Sequence, residues 1–358
     1  MATLEHYPTL EDIKKLSGNK ETAVTVYRQF EIIDWRTRWR SEITALIKTA
    51  ISDAGWDHKI RDTLLSKLEE EITSLSLSKP YLVVFLDETN LYLYNTYNRM
   101  DDEVFYGEYF SVTQLLRAIT NPRCAFVVTL SLNSWDVYEF DGPEAPKLLK
   151  IDKGDFGSYD EFTAEVAEKH IIQRTHQDLR HEHVRRLAGK IAEVVKKTAQ
   201  QKPIILMGDT EIVSNVKNSL GREEGVYVVH KNISDINVET DAHPILDEIF
   251  NDFVEARLDK IFGLEDNGYA INDLSSLGWA AVNGNVEELY VSHLYAVDGT
   301  FSQETGTLSY EGSEPVVSKI IESVLNTDGK VYILRDEDVK NPHWDSTFLG
   351  LRRWVAVP

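Results

Sequence analysis

Cysteine is nearly absent from this sequence. Cys124 is the only one in 358 residues, so no internal disulfide can form, and a reducing, cytoplasmic setting is expected. Lying in RCAFVVTL among apolar neighbours, Cys124 is expected as a buried core thiol. Long apolar runs are missing too. No segment approaches the roughly 18 uncharged apolar residues of a membrane span. The start, MATLEHYPTLEDIKK, has no basic stretch followed by an apolar one, as a secretory signal would. A soluble protein without a membrane partner is expected. Cations are scarce: 38 Lys and Arg stand against 59 Asp and Glu, a formal charge of −21 and a pI near 4.9. That balance excludes broad, non-specific binding to DNA, RNA or anionic lipid, whose affinity comes from cations neutralising phosphates and headgroups. A local basic site is not excluded.

Familiar catalytic motifs are absent as well. There is no GxxxxGKS/T phosphate loop, no GxGxxG after a strand, no GxSxG nucleophile elbow and no HExxH zinc helix. No cofactor is therefore expected. Internal repeats and low-complexity tracts are also lacking.

What is present is 42% apolar residues in a chain too long for one core, at roughly 100 to 200 residues per domain. Periodicity predicts a helix at TLEDIKKL, a strand at TAVTVYRQF, and two helices over Trp35–Ala54 and Asp57–Ser74. The period then changes to two: YLVVFLDETNLYLYNTY and CAFVVTLSLNSWDVYEF each read as two strands around a polar turn. Between them SVTQLLRAI reads as a short helix with Ser111 as N-cap. After the linker-like IDKGDFGSYDEF, a long helix through the basic segment precedes the strand PIILMGD. The helix TEIVSNVKNSL, the strand GVYVVH and the helix HPILDEIFNDFVEARLDKIF follow. Strands alternating with helices across short loops predict a parallel or mixed sheet. Past EDNGYA come the helix INDLSSLGWAAV, the strand EELYVSHLYAV, the helix EPVVSKIIESVL and the strands KVYILRDEDV and FLGLRRWVAV. The expected architecture is an α/β chain of three domains, 1–153, 154–264 and 265–358, each a mixed sheet with packed helices.

Three groups of residues invite a chemical reading. Asp87 and Asp209 sit at strand ends, where carboxylates can hold Mg²⁺ for phosphoryl chemistry; equally, Asp87 can cap the DETN turn and Asp209 can precede a helix N-terminus. His176, His181 and His183 share a helix, but their spacings of five and two do not put ligands on one face, so no metal is expected. The third group is the basic segment. From Lys169 to Lys202 there are nine Lys and Arg against three Asp and Glu, which leaves the rest of the chain at −27. Arg174, Arg185 and Lys196 lie eleven apart, three helical turns, and share a side. Spacing alone leaves two readings open: a solvated face paired with acids elsewhere, or a surface that contacts phosphates.

The stretch RHEHVRRLAGKIAE followed by PIILMGDTEIVSNVKNSL resembles the middle domain of the archaeo-eukaryotic peptide-chain release factors and their Pelota relatives. There an R-H-x-x-V-R-type helix leads into an apolar strand ending in Gly and a further helix; Arg180, His181, Val184 and Arg185 match that pattern. DLSSLGWAAVNGNVEELYVS is similar to that family's helix, small-residue turn and strand. VVSKIIESVLNTDGKVYILRDEDV with FLGLRRWVAV resembles its closing elements, in a domain with the look of the ribosomal-protein fold that binds kink-turn RNA. The first domain is similar to the N-terminal part of the bacterial branch, which includes Balon-type ribosome hibernation factors. One departure stands out. Release factors carry a Gly-Gly-Gln loop ahead of the basic helix; no GGQ occurs here, and its place, near Glu165, Val166 and Ala167, reads as helix.

The resemblance implies a ribosome-associated factor that binds the decoding A site in hibernation or rescue and is not an enzyme, since peptidyl-tRNA hydrolysis is not expected without GGQ. Ribosomal RNA contacts are expected from Arg174, Arg180, His181, Arg185, Arg186, Lys190, Lys196 and Lys197. The first domain would lie toward the decoding centre, and the third toward the stalk base or a partner translational GTPase such as elongation factor Tu. Two alternatives from other classes remain: a metal-dependent phosphodiesterase or nuclease using Asp87 or Asp209, and a scaffold that binds protein partners through its acidic faces.

Overall fold

The structure, a computed structural model, describes residues 2–3, 8–16, 20–30, 38–73, 75–77, 79–121, 123–142, 145–151, 176–200, 202–264 and 267–355. The protein is mixed α/β with several sheets, and it divides into two compact units. One comprises Met1–Asn121 with Asn251–Pro358, the other Pro122–Phe250.

In the first unit the short strand β1 (Ala2–Thr3) pairs with β3 (Leu75–Ser76). Helix α1 (Leu10–Leu16) is opened by a reciprocal cap: Asp12 Oδ2 accepts from the Thr9 N–H (2.9 Å) and hydroxyl (2.8 Å), while the Asp12 N–H bonds to Thr9 Oγ1 (3.4 Å). The strands β2 (Ala23–Gln29), β4 (Tyr81–Asp87), β5 (Leu91–Thr96) and β6 (Glu103–Gly107) form a sheet in the order β5-β4-β2-β6. Every pairing in it is antiparallel, which corrects the expectation of a mixed sheet. The helix pair α2 (Trp39–Asp53) and α3 (His58–Ile72) returns the chain to the end where β2 finished, so β4 enters antiparallel to it. Val24, Val26, Val84 and Leu86 of one face pack on Ile43, Ile47, Leu64 and Leu68 of that pair. Tyr27, Val83 and Phe85 of the other face join the core of α4 (Thr113–Thr120) through Leu115 and Leu116. Burial of both faces is why these strands read as nearly continuous apolar runs. Ser111 is not the cap of α4. The residue before the helix is Val112, without a side-chain cap, because the Ser111 hydroxyl instead donates to Glu103 Oε1 (3.0 Å).

The second unit holds β7 (Cys124–Leu130), β8 (Trp135–Asp141), β9 (Lys147–Leu148), α5 (His176–Ala199), β10 (Ile204–Gly208), α6 (Thr210–Leu220) and β11 (Val226–His230), in the sheet order β11-β10-β7-β8-β9. Strand β10 runs parallel to β11 and to β7, whereas β7, β8 and β9 are antiparallel. The β7–β8 hairpin thus pairs with the middle segment, Phe126 opposite Ile204 and Leu130 opposite Gly208, and the division near 121 differs from the sequence boundary at 153. The hairpin needs cover on two faces. Phe126, Val128 and Leu130 pack under α5 and α6; Ala125 and Val127 meet Ile205, Met207, Ala242 and Leu246 on the other side. Gly208 closes β10 at φ 153°, where an added Cβ would stand 2.2 Å from Leu130 O. Only glycine allows that approach.

Helix α7 (Val238–Phe262) begins five residues before the expected His243 and carries Pro244 inside it. Asn237 explains the earlier start: its Oδ1 accepts from Thr240 N–H (3.0 Å) and its own N–H donates to Asp241 Oδ2 (3.0 Å). The remaining elements of the first unit are β12 (Ala270–Ile271), α8 (Leu274–Val282), β13 (Val286–Ser292), β14 (Asp298–Phe301), β15 (Leu308–Pro315), α9 (Val316–Asn326), β16 (Lys330–Leu334) and β17 (Phe348–Arg352). They form a mixed sheet, β12-β17-β13-β16, and the hairpin β14-β15. That hairpin is missing from the sequence prediction, since β15 is polar and mostly exposed. Asn121 serves as an extra strand partner for the edge strand β16, donating to Ile333 O (3.0 Å) and accepting from Ile333 N–H (3.1 Å).

Candidate nucleic-acid interface

Helix α5 is amphipathic in the way its spacing predicts. Val184, Leu187, Ala188, Ile191, Ala192, Val195 and Ala199 are buried in the core of the second unit against β7, β10 and α6, with Val194 half-buried beside them. Arg180, His181, Arg185, Arg186, Lys190, Lys196 and Lys197 are all exposed on the remaining face. Arg174 lies outside the described residues, as does the place where a Gly-Gly-Gln loop would fall.

Several of these cations have local partners. Arg180 donates from Nε to Glu211 Oε2 (2.9 Å), and His181 Nδ1 stands 2.9 Å from the other oxygen of the same carboxylate. Arg186 bonds to Glu182 (2.5 Å) and Lys197 to Glu193 (2.8 Å), each one helical turn back. Lys196 Nζ donates to Ser219 O at the end of α6 (3.0 Å). Arg185 differs: exposed, it has no side-chain partner among the described residues. The two Glu pairs at i, i+4 are visible in the sequence as spacing. Glu211, which gathers Arg180 and His181, is not, because nothing local says that the first turn of α6 lies beside α5.

The other candidates resolve into structural roles. His183 is buried and its Nε2 lies 3.0 Å from Leu132 O, so it fixes the β7–β8 turn to α5. Asp87 is buried, and its Oδ1 accepts from Thr89 N–H (2.7 Å), Thr89 Oγ1 (2.8 Å) and Asn90 N–H (2.5 Å). Burial works to raise its pKa, yet the bonds from Thr89 and Asn90 prevail and hold the carboxyl below the usual range. This is an Asx turn, with both hairpin ends tied to one side chain. Asp209 is exposed at the N-cap of α6 without a side-chain cap bond. No group of three or more potential metal ligands occurs among the described residues, and no helix among them is long and apolar enough to cross a membrane. Cys124 is half-buried, not fully buried as expected. Its Sγ lies 3.5 Å from Asp141 Oδ1, and burial together with that carboxylate pushes the thiol up.

No protein-family model matches the sequence, and no curated protein matches it either. Solved structures with a similar course of the chain include an archaeal translation termination factor, aRF1, at 12% identity and a TM-score of 0.23, covering 96% of each chain. The Pelota of Archaeoglobus fulgidus is similar at 12% identity and a TM-score of 0.34, over 77% of this chain and 79% of that one. Dom34 of S. cerevisiae, described as a translation termination-like factor that interacts with Hbs1, is similar at 13% identity and a TM-score of 0.35, over 76% and 74%.

Proposed function

We propose that the chain is a ribosome-associated factor of the release factor and Pelota type, which occupies the ribosomal A site in hibernation or in rescue of stalled ribosomes without hydrolysing peptidyl-tRNA. The observation that carries this reading is the α5–β10–α6 segment. It combines the R-H-x-x-V-R pattern of Arg180 to Arg185 with an exposed face of cations in a chain of net charge −21. The carboxylates beside some of those cations do not argue against it. Lys197 and Glu193 are both exposed, so solvent screens their pair and Lys197 can exchange Glu193 for a phosphate at little cost. Arg185 has no carboxylate among the described residues to exchange.

In this reading the α5 cations contact ribosomal RNA, and the excess acid elsewhere faces away from it, since like charge near phosphates is unfavourable. The C-terminal sheet and its helices act as a domain of the kink-turn-binding ribosomal-protein type and meet the stalk base or a translational GTPase. The missing Gly-Gly-Gln removes the group that would assist water at the ester, so the role is occupancy and not hydrolysis. Sedimentation of lysates from growing and starved cells tests the proposal. The protein is expected with ribosomes or their subunits in at least one condition; recovery only in the free fraction in both would overturn it.

A further inference from the structure

A second exposed surface lies at one end of the C-terminal sheet, where α8 ends, β13 begins and β17 finishes. Trp279 and Trp354 are each about half exposed there, at 48% and 49%. Leaving two indoles in water is costly, since apolar area is what folding removes from solvent. Both are held in place by asparagines of a single turn. Asn283 Nδ2 donates to Trp279 O (2.8 Å). Asn285, itself buried, donates to Trp354 O (3.1 Å) and accepts from Trp354 N–H (3.1 Å). A buried amide that commits both of its edges to a residue beyond the last strand fixes the backbone from which the half-exposed ring of Trp354 projects.

Cations accompany the rings. Arg352 shares a shallow groove with Trp279, Ser275 and Ser276, and neither Arg352 nor Arg353 pairs with a carboxylate among the described residues; Arg353 bonds instead to Thr327 O (2.9 Å). Lys330 is exposed at the start of the neighbouring strand β16. Acids stand among them as well: Glu287 and Asp328 are exposed, and Asp273 accepts from the N–H of Ser276 in that groove (2.7 Å).

We propose that this surface is a stacking site for unpaired bases of single-stranded RNA, with Trp279 and Trp354 as platforms and Arg352 and Arg353 at the phosphates. The pairing of planar apolar faces with cations selects this ligand. An acidic peptide uses only the arginines and an apolar peptide only the indoles, whereas a nucleotide uses both. That the RNA is ribosomal rests on the function proposed above; the stacking chemistry does not.

The test is fluorescence anisotropy of a labelled single-stranded RNA of roughly 10 nucleotides, within the range one such surface accommodates, titrated with the full chain at low salt. The wild type is expected to bind. Trp279→Ala and Trp354→Ala should each weaken binding by about fivefold or more, compared at a temperature where thermal unfolding shows every variant to be folded. Arg352→Ala should lower the salt slope by roughly one phosphate contact. No binding by the wild type, or equal binding by the Trp279→Ala/Trp354→Ala variant, overturns the proposal. So does a photo-crosslinker at position 353 that labels protein and no RNA in cells. Because the titration contains no ribosome, its outcome is independent of the sedimentation result.

Discussion

Arg185 offers the sharpest separation between a solvated helix face and a phosphate-contacting one. It is exposed and has no partner among the described residues, so its replacement removes charge without stranding a carboxylate. Arg185→Glu should then change stability by no more than about 0.5 kcal/mol, a shift of roughly 1–2 °C in Tm. Arg180→Glu is the less clean variant, since it would set a second carboxylate beside Glu211. On the binding side, each phosphate contact makes log K fall by about 0.7 to 0.9 per log unit of salt. Raising salt from about 50 to about 200 mM therefore costs about threefold in affinity per contact. Co-pelleting with purified ribosomes across that range should give weaker binding at low salt for Arg185→Glu, and a salt dependence flatter than wild type by about that threefold factor. Arg185→Lys, which keeps the charge, should retain most of the slope. A folded Arg185→Glu chain with wild-type affinity and slope would refute the assignment of α5 as the contact surface.

Two further outcomes concern the scaffold that presents these surfaces. Glu288 is buried, accepts two bonds from Arg257 (2.9 and 2.9 Å) and one from Tyr290 (2.8 Å); Glu288→Gln should cost about 3 kcal/mol by leaving the guanidinium uncompensated, seen as a fall in Tm of roughly 5–15 °C, and a change within about 1 °C would disprove this role for the pair. Asp87, whose folded pKa is lowered, contributes stability that is complete above its unfolded value of about 3.9 and is lost as pH falls through the folded value. Asp87→Asn should therefore lower Tm near neutral pH and flatten the acid limb of the Tm profile below about pH 4, and parallel profiles for the two proteins would contradict the turn's dependence on that carboxylate.

Much of the architecture is legible without coordinates. The change from a period of 3.6 to a period of two marks α2, α3, β4, β5, β7 and β8, because burial of a helix stripe or a strand face is a local property of the sequence. The start of α7 was not legible: capping by Asn237 outweighs the signal of Pro244, and a short polar cap leaves little trace in hydropathy. Nor was β15, whose polar residues carry no alternation. Within α5 the pairs Glu182–Arg186 and Glu193–Lys197 could be counted from spacing, whereas Glu211 beside Arg180 could not.

The sequence alone therefore determined the composition of the basic helix, its apolar stripe, the absence of a Gly-Gly-Gln tripeptide and the alternation of elements, all of which depend on residues near one another along the chain. Tertiary structure decided which of those cations lie beside a carboxylate and which, like Arg185, have none among the described residues. It also decided that the Cys124–Asp141 hairpin completes the middle sheet and that Asn285 holds the backbone of Trp354 beside the end of α8. The reason is physical. Hydrogen-bond edges and strand faces are satisfied by whatever segment the topology brings alongside, and a strand's own pattern says that a partner is needed without saying which one.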